Sequence, residues 1–233
     1  MKAVSIAGFK NSGKTTLAVE LCQALSRRGH NVAGAKFSHH GFDRSSSDTA
    51  RLAGVCSAVV GLSQNETCLI WPTHRYLPDV VPLLGADVLV VEGGKSLDHL
   101  PRIIIPDPGG DLEDLHPELA LACYGTGTVQ GMNCTTDVET LADLVLNQGF
   151  YLPGLDCGSC GREGCGQMAR EILTGRARLE DCTAMQSELK VDVNGAPLGL
   201  NPFVSSIVAG SIKGMLSQLK GYGPGQITIT LES

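Results

Sequence analysis

Two sets of residues in this 233-residue chain have the types and spacing to do chemistry. One is "GFKNSGKTT", Gly8 to Thr16. The other is four cysteines, Cys157, Cys160, Cys165 and Cys182, in the glycine-rich stretch "LPGLDCGSCGREGCGQMAREILTGRARLEDC".

The first set reads G-x-x-x-x-G-K-[ST]. It lies between an apolar run, "AVSIAG", and a segment with apolar residues at helical spacing (Leu17, Leu21, Leu25) that closes on Gly29. In a strand-loop-helix setting, Gly8 and Gly13 let backbone N–H groups surround phosphates, and the helix N-terminus adds its dipole. Lys14 is then placed to meet the β- and γ-phosphates, and the Thr15 hydroxyl a Mg²⁺ ion. The expected nucleotide-binding set is Gly8, Asn11, Ser12, Gly13, Lys14, Thr15 and Thr16. The plain alternative is a glycine turn carrying a surface lysine.

Such a loop needs a carboxylate at the end of a neighbouring buried strand. "GADVLVVEGG" supplies one, with apolar Val88 to Val91 leading into Glu92. Glu92 is expected to hold Mg²⁺ with Thr15 and to act with Lys14 in catalysis; a helix-capping Glu is the alternative. Asp87, ahead of the strand, reads as structural. Between these motifs a strand runs through Lys36 into a polar loop with His39, His40, Asp43 and Asp48, at the strand end where doubly wound sheets carry function. Adjacent histidines in extended chain point to opposite sides, so at most one faces a ligand. No N-K-x-D element follows a strand in a suitable place, and the residues alone do not choose guanine over adenine.

The cysteines follow C-x2-C-x4-C-x16-C. Four thiolates favour a soft metal centre, zinc or an iron–sulfur cluster. Zinc sites usually pair two short knuckles, whereas here three ligands share one glycine-rich loop, which suits a 4Fe-4S cluster better. Zinc and free thiols stay open. Gly158, Gly161, Gly164 and Gly166 allow backbone approach to cluster sulfurs. "QMAREILTG" reads as a short helix with Met168 and Ile172 on one face and Gly175 as its stop. Cys22, Cys56, Cys68, Cys123 and Cys134 read as small core hydrophobes.

The elements that must position these residues alternate strand and helix, continuing through "ALACYG" and a helix in "TTDVETLADLVLNQG" capped by a Thr136/Glu139 box. The expected fold is α/β, a P-loop NTPase with a mostly parallel sheet plus a small C-terminal α+β iron–sulfur domain. The domains would be 1–148 for nucleotide, 149–187 for the four cysteines, and 188–233 as a strand-helix-strand unit packed with them. In that last unit "ELKVDVNG" and "QITITL" are the strands, and Val204, Ile207, Val208, Ile212, Met215 and Leu219 line one side of the helix.

"GFKNSGKTT", "KFSHHGFD", "SSSDTARLAG" and "LVVEGGK" followed by "PRIII" together resemble the molybdopterin-guanine dinucleotide biosynthesis protein B (MobB) family over about the first 145 residues. The cysteine stretch resembles the four-cysteine 4Fe-4S domain of Rnf-type electron-transport B subunits and corrinoid iron–sulfur proteins. The first resemblance implies a homodimeric, weakly hydrolytic GTP-binding protein that assists the guanylyltransferase acting on molybdopterin, in molybdenum or tungsten cofactor maturation. Gly8, Gly13, Lys14 and Thr15 match its phosphate loop, Glu92 its second acidic motif, and His39, His40, Asp43 and Asp48 its polar loop. Phe9 stands where MinD-type relatives carry a lysine, and the cysteine domain is absent from the short bacterial members. A nucleotide-gated iron–sulfur electron carrier and a small-molecule kinase are the rival readings.

A net charge of −6 and a pI near 5.5 argue against nucleic acid and anionic membranes, which need clustered Lys and Arg. No apolar run of 18 residues appears, and "MKAVSIAGF" leads straight into a strand without a signal peptide. Nine cysteines in a chain of this length do not indicate a secreted disulfide scaffold, and the compartment expected is the cytoplasm.

Overall fold

The computed structural model describes residues 1–38, 47–185, 189, 191–193, 196–197, 202–223 and 225–231. In chain order the elements are β1 (Lys2–Gly8), α1 (Lys14–Arg27), β2 (Val32–Lys36), α2 (Asp48–Ala53), β3 (Val59–Leu62), β4 (Thr67–Ile70), α3 (Leu77–Val80), β5 (Val88–Glu92), β6 (Arg102–Ile105), β7 (Ala120–Cys123), β8 (Thr128–Val129), β9 (Met132–Asn133), α4 (Val138–Gln148), α5 (Cys165–Leu173), β10 (Asp192–Val193), β11 (Ala196–Pro197) and α6 (Pro202–Leu216).

Five strands form one parallel sheet in the order β2-β5-β1-β6-β7. The central strands are near-continuous apolar runs because both faces are covered. On one face Val4, Ile6, Val88, Val90 and Ile103 pack against Leu17, Leu21 and Leu25 of α1 and Leu141 and Val145 of α4. Their neighbours in sequence point the other way, and Ala3, Leu89 and Val91 meet Leu77, Leu100 and Tyr151. The register sets Ile6 opposite Glu92 on β5 and Ile103 on β6. The P-loop and the Glu92 carboxylate therefore leave the sheet side by side at its carboxyl end, where α/β sheets bind ligands.

The four-cysteine segment is not a tail. Met168 and Ala169 of α5 and Cys182 share an apolar cluster with Leu119, Phe150 and Leu152 at the end of the sheet domain. As expected, Met168 is buried and α5 stops before Gly175, which takes a left-handed φ of 71°.

Several expectations are corrected. The cap of α4 is Asp137, not Thr136: its carboxylate accepts from the Glu139 and Thr140 amides at 3.1 and 3.3 Å. A carboxylate is the stronger acceptor for N-terminal amides. Cys123 and Cys134 are joined in a disulfide between β7 and the chain after β9, and are not isolated apolar residues. "QITITL" forms no strand over Gln226 to Leu231, and among its described residues the earlier segment contributes the two-residue β10, paired with β11. The Asn194-Gly195 turn lies outside the described residues. The apolar stripe of α6 is also not a buried face: Val204, Ile207 and Met215 are exposed, as is Leu219 beyond the helix, while Ser205 is covered. The sheet domain is complete without α6, which rests on the turn Thr183–Met185 instead.

Two antiparallel pairs, β3-β4 and β8-β9, add to the parallel alternation. The β3-β4 hairpin leaves Val60, Leu62 and Leu69 exposed.

Candidate functional site

The loop from Gly8 to Gly13 takes the shape its glycines permit. A Cβ on Gly8 would stand 2.5 Å from the Ser12 hydroxyl, so the close approach of these two positions needs glycine. Asn11 and Gly13 adopt left-handed φ of 63° and 85°, and Gly13 caps α1 with no side chain bonded to the helix amides. Those amides are the donors a phosphate would take. Ser12 Oγ is buried with no hydrogen-bond partner among the described residues. Lys14 folds back to donate to the Phe9 carbonyl. Thr16 is exposed on the first turn of α1.

Beyond the loop, the Thr15 hydroxyl donates to Glu92 Oε1 at 2.6 Å, and the Lys36 ammonium donates to Oε1 and Oε2 at 3.0 and 3.1 Å. Burial pushes the Glu92 carboxyl up, but the Thr15 hydrogen bond and the Lys36 charge outweigh it and hold it below the ordinary value. Burial lowers the Lys14 ammonium, opposed by Glu92 and assisted by Lys95 and Lys36. A hydroxyl and a carboxylate facing one another are hard oxygen donors of the kind Mg²⁺ takes. Their arrangement fits that ion.

Of the polar loop, His39, His40 and Asp43 lie outside the described residues. Asp48 opens α2, exposed and 3.7 Å from Arg51. Asp87 Oδ2 accepts from the His30 ring Nδ1 at 3.0 Å, a pairing at the opposite end of β5 from Glu92 and in keeping with a structural part.

The four cysteines come together. Cys157, Cys160, Cys165 and Cys182 line one cavity with Pro153 and Met168. Cys165 opens α5, and its amide donates to Asp156 Oδ1 at 2.6 Å. Gly164 has no room for a Cβ, which would stand 2.8 Å from the same oxygen. Burial pushes the Cys165 and Cys182 thiols up, while hydrogen bonding from Ser159 holds the exposed Cys157 thiol down. Among the described residues no group of three or more His, Cys, Asp or Glu is gathered tightly enough for a single metal ion. Four thiols around one cavity are a soft donor set of the kind that an iron–sulfur cluster or zinc takes.

The two ends are joined by the segment after Glu92. Gly93 and Gly94 turn it with left-handed φ of 82° and 71°. Lys95 then lies 4.3 Å over the Phe9 ring of the phosphate loop. The buried Arg102 guanidinium donates to the carbonyls of Lys95, Leu97 and Leu115 at 2.6, 3.0 and 3.0 Å. Further on, Asp98 packs against Gly166 in the first turn of α5, and the His99 ring lies under Gly154, where a Cβ would stand 2.7 to 2.9 Å from ring atoms. Sequence reasoning gave no part to Lys36, Lys95, Arg102, Asp98 or Asp156. Position was the available signal for the first two: a lysine ending a strand beside Glu92's, and another three residues after Glu92.

Comparison with known proteins fits this geometry. Residues 3–122 match the family model described as molybdopterin guanine dinucleotide synthesis protein B. The chain belongs to the MobB family. Residues 152–184 of this MobB-family chain also match a model described as an Fe-S cluster. A molybdopterin-guanine dinucleotide biosynthesis adapter protein of Methanocaldococcus jannaschii is 27% identical over 231 residues, spanning 95% of this chain and 93% of that one. The adapter protein of Bacillus subtilis is 28% identical over 121 residues, 48% of this chain and 69% of that one. The crystal structure of Bacillus subtilis MobB superposes with a TM-score of 0.49 at 23% identity, covering 64% of this chain and 99% of that chain. The archaeal relative matches along nearly the whole length, cysteine segment included, whereas the bacillar one matches about half. Among the described residues no helix is long and apolar enough to cross a membrane.

Proposed function

We propose that this MobB-family adapter binds GTP and Mg²⁺ at its P-loop, hydrolyses the nucleotide weakly, and assists the guanylyltransferase that acts on molybdopterin, while its four cysteines hold a 4Fe-4S cluster. The observation that carries the nucleotide reading is the Thr15–Glu92 hydrogen bond across the mouth of an uncapped P-loop helix. Lys14 supplies charge to the β- and γ-phosphates, and Thr15 and Glu92 hold the metal. The choice of GTP over ATP rests on family membership. The cytoplasm is the compartment where such an adapter would meet the transferase, and molybdopterin itself is a candidate ligand. The exposed apolar residues of the β3-β4 hairpin support a homodimer, since isolated hairpins with apolar faces seek cover.

The cluster is a built-in cofactor, and the domain limits proposed are 1–148, 149–187 and 188–233. Four thiols round one cavity, and the match of residues 152–184 to a model described as an Fe-S cluster, support iron–sulfur over zinc. A second reading, a nucleotide-gated electron carrier, is favoured by the contact of Asp98 with α5, which gives the segment after Glu92 a direct path to Cys165.

Anaerobic purification followed by iron, sulfide, zinc and nucleotide assay of one sample tests the whole. About four irons and four sulfides per chain and a bound guanine nucleotide are expected. Stoichiometric zinc without visible charge-transfer absorption would discard the cluster, and preference for ATP in a competition titration would discard the guanine reading. A cluster potential that shifts with bound nucleotide would move the weight to the electron carrier.

A further inference from the structure

Lys36 is a cation for which the nucleotide chemistry above has no use, and it sits where the metal belongs. It ends the edge strand β2 and donates to both oxygens of Glu92, while Thr15 donates to one of them. Both carboxylate oxygens are thus engaged by an ammonium group. Mg²⁺ requires close oxygen ligands in near-octahedral array, and an ammonium on the same oxygens is repelled by it. One cation must leave.

The two partners differ in freedom to move. The Glu92 side chain is 14% exposed and the Lys36 side chain 52%. Glu92 is fixed by β5 between two neighbouring strands, whereas the lysine head hangs on a flexible four-carbon stem at the sheet edge. The Glu92 oxygen that Lys36 holds also accepts from Thr15, the residue after Lys14, so the released ammonium is left beside the phosphate loop.

We propose that Lys36 is a displaceable counter-ion of the nucleotide site: it neutralises Glu92 when no metal is bound and, once Mg²⁺ takes the Thr15–Glu92 pair, carries its charge to the terminal phosphate of a bound triphosphate. This rests on the P-loop reading and deepens it. With a diphosphate the released ammonium gains no partner, so displacement is a pure cost to metal binding. With a triphosphate the γ-phosphate repays that cost. Lys36 thereby makes the site distinguish tri- from diphosphate only when metal is present.

The test is calorimetric titration of the full chain with GTP and GDP, in Mg²⁺ or in EDTA, for the parent, Lys36→Met and Lys36→Arg. Lys36→Met should lower the Mg²⁺ concentration that half-saturates the GDP complex by about fivefold, weaken metal-free GTP binding, and reduce the GTP:GDP preference in Mg²⁺ by about fivefold to tenfold. Lys36→Arg, which keeps the charge, should stay near the parent. Effects of opposite sign with and without metal are not expected of a side chain that merely braces the strand. An unchanged Mg²⁺ requirement and GTP:GDP preference in Lys36→Met, or equal weakening under all conditions, would overturn the proposal. A parent that binds neither nucleotide, or binds without regard to Mg²⁺, would instead overturn the site reading beneath it, and that outcome shows in the parent alone.

Discussion

The Asp156 carboxylate accepts a hydrogen bond from the Cys165 amide at 2.6 Å, and thereby ties the loop that carries Cys157 to the helix that carries Cys165. Asp156 holds a left-handed φ of 45° to do so, a strained conformation for a residue with a side chain. It caps α5 from outside, in place of a side chain at Gly164.

Asp156→Ala should therefore loosen the cysteine arrangement at its first ligand pair. Removing a charged acceptor from a helix N-terminus costs about 1–2 kcal/mol. Iron should be lost to a chelator several-fold faster than from the parent, while nucleotide affinity stays the same. Equal iron retention in the two proteins would show that the Asp156 contact does not hold the site.

Lys14→Ala should abolish tight nucleotide binding without lowering the melting temperature, since Lys14 stands partly exposed at the start of α1 and its ammonium donates to the Phe9 carbonyl of the loop, not into the core. Titration calorimetry and circular-dichroism melts measure the two halves of the expectation. GTP affinity equal to the parent's would remove the P-loop from the binding site.

Glu92→Gln keeps the shape of the side chain and removes its charge. Nucleotide should remain bound, the Mg²⁺ requirement should rise by about tenfold, and turnover should fall with it. Turnover unchanged at limiting Mg²⁺ would return Glu92 to a structural part.

His99 gives stability a pH dependence. Burial lowers its pKa in the folded protein below the ordinary 6.5, with Asp98 and Asp156 opposing. A depressed histidine must stay neutral to remain folded, so the unfolded chain takes up the proton first. Its contribution is full above about pH 6.5 and is lost as pH falls from there toward the lowered folded value. Denaturant melts should show stability falling from pH 7.5 to 5.5, with a smaller fall in His99→Gln. An equal slope in both proteins would place the pH dependence elsewhere.

Gly154→Ala tests the same contact sterically. The new Cβ would stand under 3 Å from the His99 ring at a left-handed φ of 65°, and a loss of about 1–3 kcal/mol is expected. A melt matching the parent's would mean that the ring moves aside freely.

Motifs whose chemistry depends on a short run of chain were fully legible in the sequence. Gly8 to Thr15 specifies its own loop because glycine spacing, a preceding apolar strand and a following amphipathic helix are all local. Glu92 was legible for the same reason, as the polar end of a buried strand, and α5 was given by Met168, Ile172 and Gly175. The sequence likewise grouped the four cysteines by spacing, although only the fold placed them around one cavity. What it did not determine was everything that depends on which elements become neighbours. Lys36 meets Glu92 because β2 pairs with β5 at a register offset of 56 residues, Val32 opposite Val88 through Lys36 opposite Glu92. Arg102 has no evident part in the sequence until the fold brings the carbonyls of Lys95, Leu97 and Leu115 around its guanidinium, and Cys123 and Cys134 become partners only when β7 and the chain after β9 lie side by side. The apolar stripe of α6 shows the converse: periodicity fixes a helix and its face, but whether that face is covered is decided by the surfaces that the rest of the fold leaves open.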